Sequence, residues 1–304
     1  MTGGAGFIGK YCVKSFLEKN YKVTIFDNFS NSSEDMISDL LNDGANLIKG
    51  DITIQDQVSN AISGHDVILH LAAKINVQDS IANPKLTKSV NVEGTKNLLE
   101  ACKENQITNI IAVSSAAVYG DCKDSEVCLS ENSKTVPISP YGESKLEMEE
   151  SVKAFSKLHA INAVTLRFFN VYGKGQSPEY AGVITKFLKG IKKNQAFEVF
   201  GDGLETRDFV SIHDVVDSIY DTISKIQGKR GSVYNIATGK SISINDLAKL
   251  MISNSGKELE IIYRPQKKGE IRFSQADTSL AKKELGFFPK IELEEGIRNL
   301  MNLI

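Results

Sequence analysis

The chain has 304 residues, 41% of them hydrophobic and 24% charged, with a formal net charge of -2. Such a composition supports a large core, as one big domain or two smaller ones, and its charge gives no reason to expect a nucleic-acid or membrane partner. No apolar run approaches the ~20 residues of a membrane span, and no signal peptide precedes the first motif, so a cytoplasmic protein is expected.

Residues 2–9 read Thr-Gly-Gly-Ala-Gly-Phe-Ile-Gly. Gly3, Gly6 and Gly9 fit a glycine-rich turn that opens a helix. The first glycine makes the tight turn, the second lets backbone approach a pyrophosphate, and the third allows close helix packing. The helix N-terminus then faces the phosphates with free N–H groups and its positive dipole end. An isolated glycine turn without ligand reads the same way, but the next strand favours the ligand. Residues 22–26 (Lys-Val-Thr-Ile-Phe) read as a buried strand ended by Asp27, eighteen residues after Gly9. An acid there accepts hydrogen bonds from an adenosine ribose. No arginine lies near Asp27 in sequence to receive a 2′-phosphate, which favours NAD over NADP.

The fingerprint normally follows a strand, yet only Met1 and Thr2 precede it. The first, central strand is therefore expected to be truncated, with neighbouring backbone groups unpaired and a groove in the core. An upstream apolar segment of about five to eight residues is expected to raise thermal stability.

Residues 46–49 are a short strand closing on Gly50-Asp51-Ile52. Asp51 either accepts the adenine amino group or caps a helix near residue 51. Residues 67–71 are a strand ending in Ala72 and Ala73, small enough for a flat cofactor to lie against backbone. A helix is expected over about 84–104, containing Asn91. Residues 110–113 are a strand leading into Ser114-Ser115-Ala116-Ala117.

A polar loop over 121–138 ends at Ser139-Pro140, a helix-start signal. The helix it opens carries Tyr141 and Lys145, one turn apart on one face. A nearby ammonium favours the phenolate and lowers a tyrosine pKa from its usual ~10, giving a proton-transfer group. By itself the Tyr-x-x-x-Lys spacing is weak evidence. Residues 163–168 form the next strand. Strands alternating with helices mean a doubly wound parallel sheet, with ligands at the strands' carboxyl ends. Gly3, Asp27, Ala72, Ser115 and Asn170 all fall at or just past such ends.

After residue 170 the rhythm changes to shorter, mixed elements. The division expected is a Rossmann-type domain over 1–169, with a return segment at about 209–230, and an interleaved smaller α/β substrate domain over 170–304. The cysteines (Cys12, Cys102, Cys122, Cys128) show no CxxC pairing and are expected to be reduced. The histidines (His65, His70, His159, His213) lack metal-site spacing, so no metal is expected.

With these residues in view the chain resembles the extended short-chain dehydrogenase/reductase family, and within it the UDP-sugar 4-epimerases. The resemblance rests on the glycine fingerprint, Ser115, Tyr141/Lys145, Arg167-Phe168-Phe169-Asn170, Arg207-Asp208 and the tail elements Ala276-Asp277 and Leu285-Gly286-Phe287. It implies that Gly3, Gly6, Gly9, Asp27 and Asp51 bind the adenosine and pyrophosphate parts of NAD, with Ala72 and Asn91 further along. Phe7, Ile8, Asn28, Ile52, Leu71, Ala73 and Phe168 complete the implied cofactor set. Lys145 would bond the nicotinamide ribose and hold Tyr141 ionised, and Ser115 would bond the sugar 4-hydroxyl. Asn170 and Arg207 would hold the substrate diphosphate, in a site completed by Val183, Lys267, Glu270 and Ser274. The plain alternatives are a turn cap for Asn170, an ion pair with Asp208 for Arg207, and a solvated Lys267. Lys267-Lys268-Gly269-Glu270 departs from the family's Arg-x-Gly-Asp at both key positions.

The implied reaction is interconversion of UDP-glucose and UDP-galactose. Tyr141 takes the 4-hydroxyl proton, hydride passes from C4 to NAD, the 4-keto sugar turns about its diphosphate link, and hydride returns to the opposite face. A 4,6-dehydratase needs an acid and a base beside the serine, where the family's dehydratases carry Thr-Asp-Glu. This chain has Ser115-Ala116-Ala117. A non-catalytic NAD-binding protein tends to lose the Tyr/Lys pair, which is present. Ser274 falls where glucose-restricted members resemble one another in carrying tyrosine, so the N-acetylated sugars are expected to fit as well. A homodimer is expected by analogy.

Overall fold

The apolar runs at residues 68–70 and 110–114 become strands buried on both faces, as a parallel sheet between helical layers requires, whereas the edge strand at 46–49 is largely exposed. The computed structural model describes residues 1–122, 124, 127–176, 182–267, 269 and 271–303. Its strands begin with β1 (Thr24–Asp27), β2 (Asn46–Lys49), β3 (Ile68–His70), β4 (Asn109–Ser115), β5 (Asn162–Phe168) and β6 (Asn170–Tyr172). They continue with β7 (Phe197–Phe200), β8 (Thr206–Ser211), β9 (Arg230–Ile236), β10 (Ser241–Ser243) and β11 (Ile261–Arg264). The helices are α1 (Phe7–Glu18), α2 (Ser38–Asn42), α3 (Gln55–Ile62), α4 (Val77–Ala82), α5 (Pro84–Lys88) and α6 (Gly94–Glu104). They are followed by α7 (Pro140–His159), α8 (Val183–Lys193), α9 (Ile212–Ser224), α10 (Ile244–Ser255), α11 (Ser279–Leu285) and α12 (Leu293–Met301).

The main sheet runs β2, β1, residues 1–2, β3, β4, β5, β9, all parallel. The first strand is as short as expected, but its neighbours are not left open at their carboxyl ends. Thr2 N–H donates to Leu69 O at 3.0 Å and Thr2 O accepts from Leu71 N–H at 3.0 Å. On the other side Gly3 N–H donates to Phe26 O at 2.9 Å, and Phe26 N–H to Met1 O at 2.8 Å. These few bonds set the glycine turn between β1 and β3, at the point where the strand order reverses.

Helices cover both faces. Cys12, Val13 and Phe16 of α1 pack with Val215 and Ile219 of α9 and with Ile25 and Tyr234 of the sheet. On the other face Val58, Leu98, Met148 and Val152 of α3, α6 and α7 meet Ile68 and Ile110. The single helix expected over 84–104 is interrupted by a π-helical segment, Ser89–Glu93, between α5 and α6. Such a widened turn re-aims the residues in it, and here it buries Asn91 and Val92.

The rest of the described chain builds smaller sheets. β8 lies between β10 (antiparallel) and β6 (parallel), and β7 pairs with β11. Phe187 and Phe197 stack at 4.2 Å in their core, beside Leu247, Met251 and Ile297. The chain returns to the main sheet through α9 and β9. β9 pairs with β5 and begins where the expected return of 209–230 ends. Among the described residues no helix is long and apolar enough to cross a membrane.

Candidate active site

A cavity of about 1030 Å³ opens at the carboxyl ends of the parallel strands. Of the residues singled out from sequence, Gly3, Gly6, Phe7, Ile8, Gly9, Asp27, Asn28, Ile52, Leu71, Ala72, Ala73 and Phe168 line it, together with Ser115, Tyr141 and Lys145. Asn170, Val183, Arg207, Lys267 and Ser274 line it as well. Glu270 lies outside the described residues.

The glycines shape one end. Gly3 has φ +68°, and a Cβ there would stand 2.6 Å from Ala72 N. A Cβ on Gly9 would stand 2.5 Å from Gly3 O and 2.6 Å from Gly4 Cα. Backbone therefore packs directly on backbone, and the helix start reaches the cavity wall. The α1 N-cap is Gly6, which brings no side chain to cap the first turn. An anion is what such a helix end attracts. Beside it Asp27 accepts from Ala5 N–H at 3.0 Å and Phe29 N–H at 2.9 Å. Burial pushes its carboxyl upward, with those backbone bonds opposing.

Two expected cofactor residues stand off the wall. Asp51 is spent on its own turn: Oδ1 accepts from Thr53 N–H and Oγ1–H at 2.8 and 2.7 Å, and Oδ2 from Asn28 Nδ2–H at 2.9 Å. The helix that follows is capped at Ile54, so Asp51 is not its N-cap. Asn91 is buried behind the wall by the π-helical turn. Its side chain accepts from Lys74 N–H at 2.7 Å and donates to Lys74 O and to Ser144 Oγ, each at 2.9 Å. It holds the cavity loop after β3 instead of lining the cavity.

Ser115 ends β4, and its Oγ accepts from Ala117 N–H at 3.2 Å. Burial pushes the Tyr141 phenol upward, and the Ser115 hydroxyl opposes this to a smaller degree. The net direction for Tyr141 is upward, contrary to the expectation that Lys145 lowers it. Burial is the larger effect, and the ammonium is engaged by other groups. Lys145 Nζ donates to Val113 O at 2.7 Å and sits 3.8 Å from Met148 Sδ. Burial pushes Lys145 itself down to about 8, with Glu149 opposing. In this arrangement the protein group that favours the phenolate is Ser115.

The opposite wall comes from the smaller sheets. Asn170 Nδ2–H donates to Asp208 O at 3.2 Å. Arg207 Nη1–H donates to Thr206 O at 2.8 Å. Asp208 is not the partner of Arg207. It is fully buried and accepts from Thr238, Gly239 and Ala276. Lys267 is not simply solvated, because its ammonium lies 3.6 Å from the Phe200 ring centroid, a favourable cation–π placement. Ser274 is buried, with 3% of its surface exposed.

Among the polar wall residues that sequence reasoning missed are Ser114 and Glu205. Ser114 Oγ and Glu205 Oε2 are buried and have no hydrogen-bond partner among the described residues, although Glu205 Oε1 accepts from Arg272 at 2.9 Å. Ser114 directly precedes Ser115, which was its one available signal; Glu205 stands among turn residues and had none.

The bare glycine backbone, the uncapped start of α1, the Asp27 carboxylate and the unpartnered Ser114 hydroxyl fit a dinucleotide such as NAD. Comparison with known proteins agrees. Residues 1–237 match the model of the NAD dependent epimerase/dehydratase family. A putative UDP-glucose 4-epimerase of Methanocaldococcus jannaschii is 38% identical, over 99% of this chain and 96% of that protein. The crystal structure of UDP-glucose 4-epimerase from Thermotoga maritima with UDP-glucose superposes with a TM-score of 0.92 at 32% identity, covering 99% of this chain and 96% of that one. A UDP-N-acetylglucosamine 4-epimerase from Methanobrevibacter ruminantium gives a TM-score of 0.90 at 31% identity, with 99% and 96% covered. Dehydratases are also among the similar proteins. The chain belongs to the NAD-dependent epimerase/dehydratase family.

Proposed function

We propose that the protein is an NAD-dependent 4-epimerase of UDP-hexoses, acting on UDP-glucose and UDP-galactose and on the N-acetylated pair. The observation that carries this reading is the gathering of Ser115, Tyr141 and Lys145 on the wall of the cavity that also holds the glycine turn, with only Ala116 and Ala117 following Ser115. Elimination of water across C5 and C6 needs an additional acid and base. Two alanines supply neither.

In this reading Tyr141 takes the proton of the sugar 4-hydroxyl and gives it back. Ser115 holds that hydroxyl and stabilises the phenolate. Lys145 carries positive charge at neutral pH and bonds the ribose of the cofactor. Asn170 and Arg207 grip the diphosphate, so the nucleotide stays fixed while the sugar turns. NAD, when bound, takes the C4 hydride and returns it. The similarity to epimerases of UDP-glucose and UDP-N-acetylglucosamine supports the substrate class.

The test is to incubate the purified protein with UDP-galactose and analyse the sugars. The reading expects UDP-glucose without net build-up of reduced nicotinamide, and a fall in kcat of about 10²–10⁴-fold for Tyr141→Phe. Release of water with formation of a 4-keto-6-deoxy sugar would replace it with a dehydratase. Wild-type turnover by Tyr141→Phe would remove Tyr141 as the base.

A further inference from the structure

The first backbone N–H groups of α7 have no acceptors within the helix itself. Pro140 has none to offer. Ser139 Oγ accepts from Gly142 N–H at 3.1 Å, and Ser139 O accepts from Glu143 N–H at 2.9 Å. The Tyr141 N–H, left over inside the protein, donates to Ser80 Oγ of α4 at 3.1 Å. Ser80 is 1% exposed. Its own proton is committed to Val77 O at 2.6 Å, which leaves a lone pair facing Tyr141. The orientation of this hydroxyl is thereby fixed.

The same short helix touches the opposite wall. Its start is set by Asn76, whose Oδ1 accepts from Gln78 and Asp79 N–H at 2.9 and 3.1 Å. Val77 and Ile81 pack against Gly269, where a Cβ would lie 3.5 Å and 3.3 Å from them. Val77, Gly269 and Lys267 all line the cavity.

We propose that Ser80 is a positioning residue: it fixes the backbone of Tyr141, and through α4 it ties that position to Gly269, near Lys267, on the other side of the cavity. The proposal rests on Tyr141 being the base. Ser80 touches no reacting atom, so its effect is on alignment, and a displacement of the order of 1 Å costs up to about 10²-fold in rate.

The experiment uses the full chain with its retained nucleotide. Ser80→Ala is expected to lower kcat for UDP-galactose by about 10- to 100-fold, leaving KM and the amount of retained NAD within about twofold. In a Tyr141→Phe background, Ser80→Ala is expected to change the residual kcat by less than about twofold, because its effect passes through Tyr141. Ser80→Cys, which keeps nearly the same volume but offers only a weak acceptor, is expected to show the same kcat defect in smaller degree and guards against misfolding of the alanine variant. Unchanged kcat in both single variants, the same fold loss in both backgrounds, or a loss of NAD with a raised KM would each overturn the proposal. If Tyr141→Phe alone turned over at the wild-type rate, the assignment of the base would fall instead, whatever Ser80 did.

Discussion

Arg167 and Glu149 form a buried pair between β5 and α7. Arg167 Nη2 lies 2.7 Å from Glu149 Oε2 and Nε lies 3.0 Å from Oε1, with both side chains almost wholly buried. Arg167 Nη1 also donates to Tyr119 Oη at 2.9 Å, and Tyr119 Oη–H donates to Asn235 Oδ1 at 2.6 Å. One guanidinium thus joins α7, β5, β9 and the turn that follows Ser115. Burial disfavours its charge, but Glu149 outweighs this and holds Arg167 firmly protonated.

Removing one partner leaves the other as an uncompensated buried charge. Arg167→Ala or Glu149→Ala is expected to lower stability by about 3–5 kcal/mol, whereas the joint change Arg167→Met with Glu149→Leu costs far less. Equilibrium denaturation of the three variants measures this. Equal losses for the single and joint changes would show that packing, not charge, sets the effect.

The glycine turn has little tolerance for a methyl group. At Gly3 both the positive φ and the 2.6 Å approach to Ala72 N oppose alanine, and at Gly9 the obstacles are backbone atoms that cannot rotate away. Gly3→Ala and Gly9→Ala are expected to lose retained NAD and to cost about 1–3 kcal/mol. Gly44→Ala is the control: its φ is +104°, yet nothing lies within 4 Å of the added Cβ, so NAD is expected to stay. Absorbance of nucleotide released on denaturation reads all three.

These residues show where sequence was sufficient. Glycine spacing, the acid ending β1 and small residues ending β3 report local backbone needs, and Gly3, Asp27 and Ala72, expected at strand carboxyl ends, all line the cavity. Lys145 shows the limit. Its spacing from Tyr141 is a property of the helix, but the direction of its ammonium depends on Val113 O, offered by a strand far away in sequence. Asn91 stands behind the wall for a similar reason. The π-helical turn that buries it arises in the packing of α5, α6 and α7, and no periodicity over 84–104 announces it. Ser80 carried no sequence signal, because its role depends on one N–H of a helix that begins some sixty residues later.

Lys145 gives a prediction in pH. Its folded value, lowered by burial to about 8, lies below the unfolded ~10.4. Between those values the unfolded chain binds more protons than the native one, so stability rises with pH across that window. Below about 8 the full cost of burying the charge is present, on the order of 3 kcal/mol. Lys145→Met is expected to flatten the rise in denaturation midpoint between pH 8 and 10. The same rise in the variant as in the wild type would assign it to other groups.

Ser274 gives a prediction about the size of the sugar. It is buried on the cavity wall, with its N–H 3.4 Å from Thr206 Oγ1 and Arg207 following Thr206 in β8. With only 3% of its surface exposed, a tyrosine at this position finds room for its ring in the cavity alone. That ring takes space an N-acetyl group would need, while a sugar with a 2-hydroxyl demands less. Discrimination by steric fit of a few atoms is worth about 1–3 kcal/mol, or roughly 10- to 200-fold. Ser274→Tyr is therefore expected to lower kcat/KM for UDP-N-acetylglucosamine by at least about tenfold relative to UDP-glucose. Measuring both substrates on both proteins cancels any general loss of activity. An unchanged ratio would mean that the N-acetyl group does not approach Ser274, and the wider substrate range would lose its structural support.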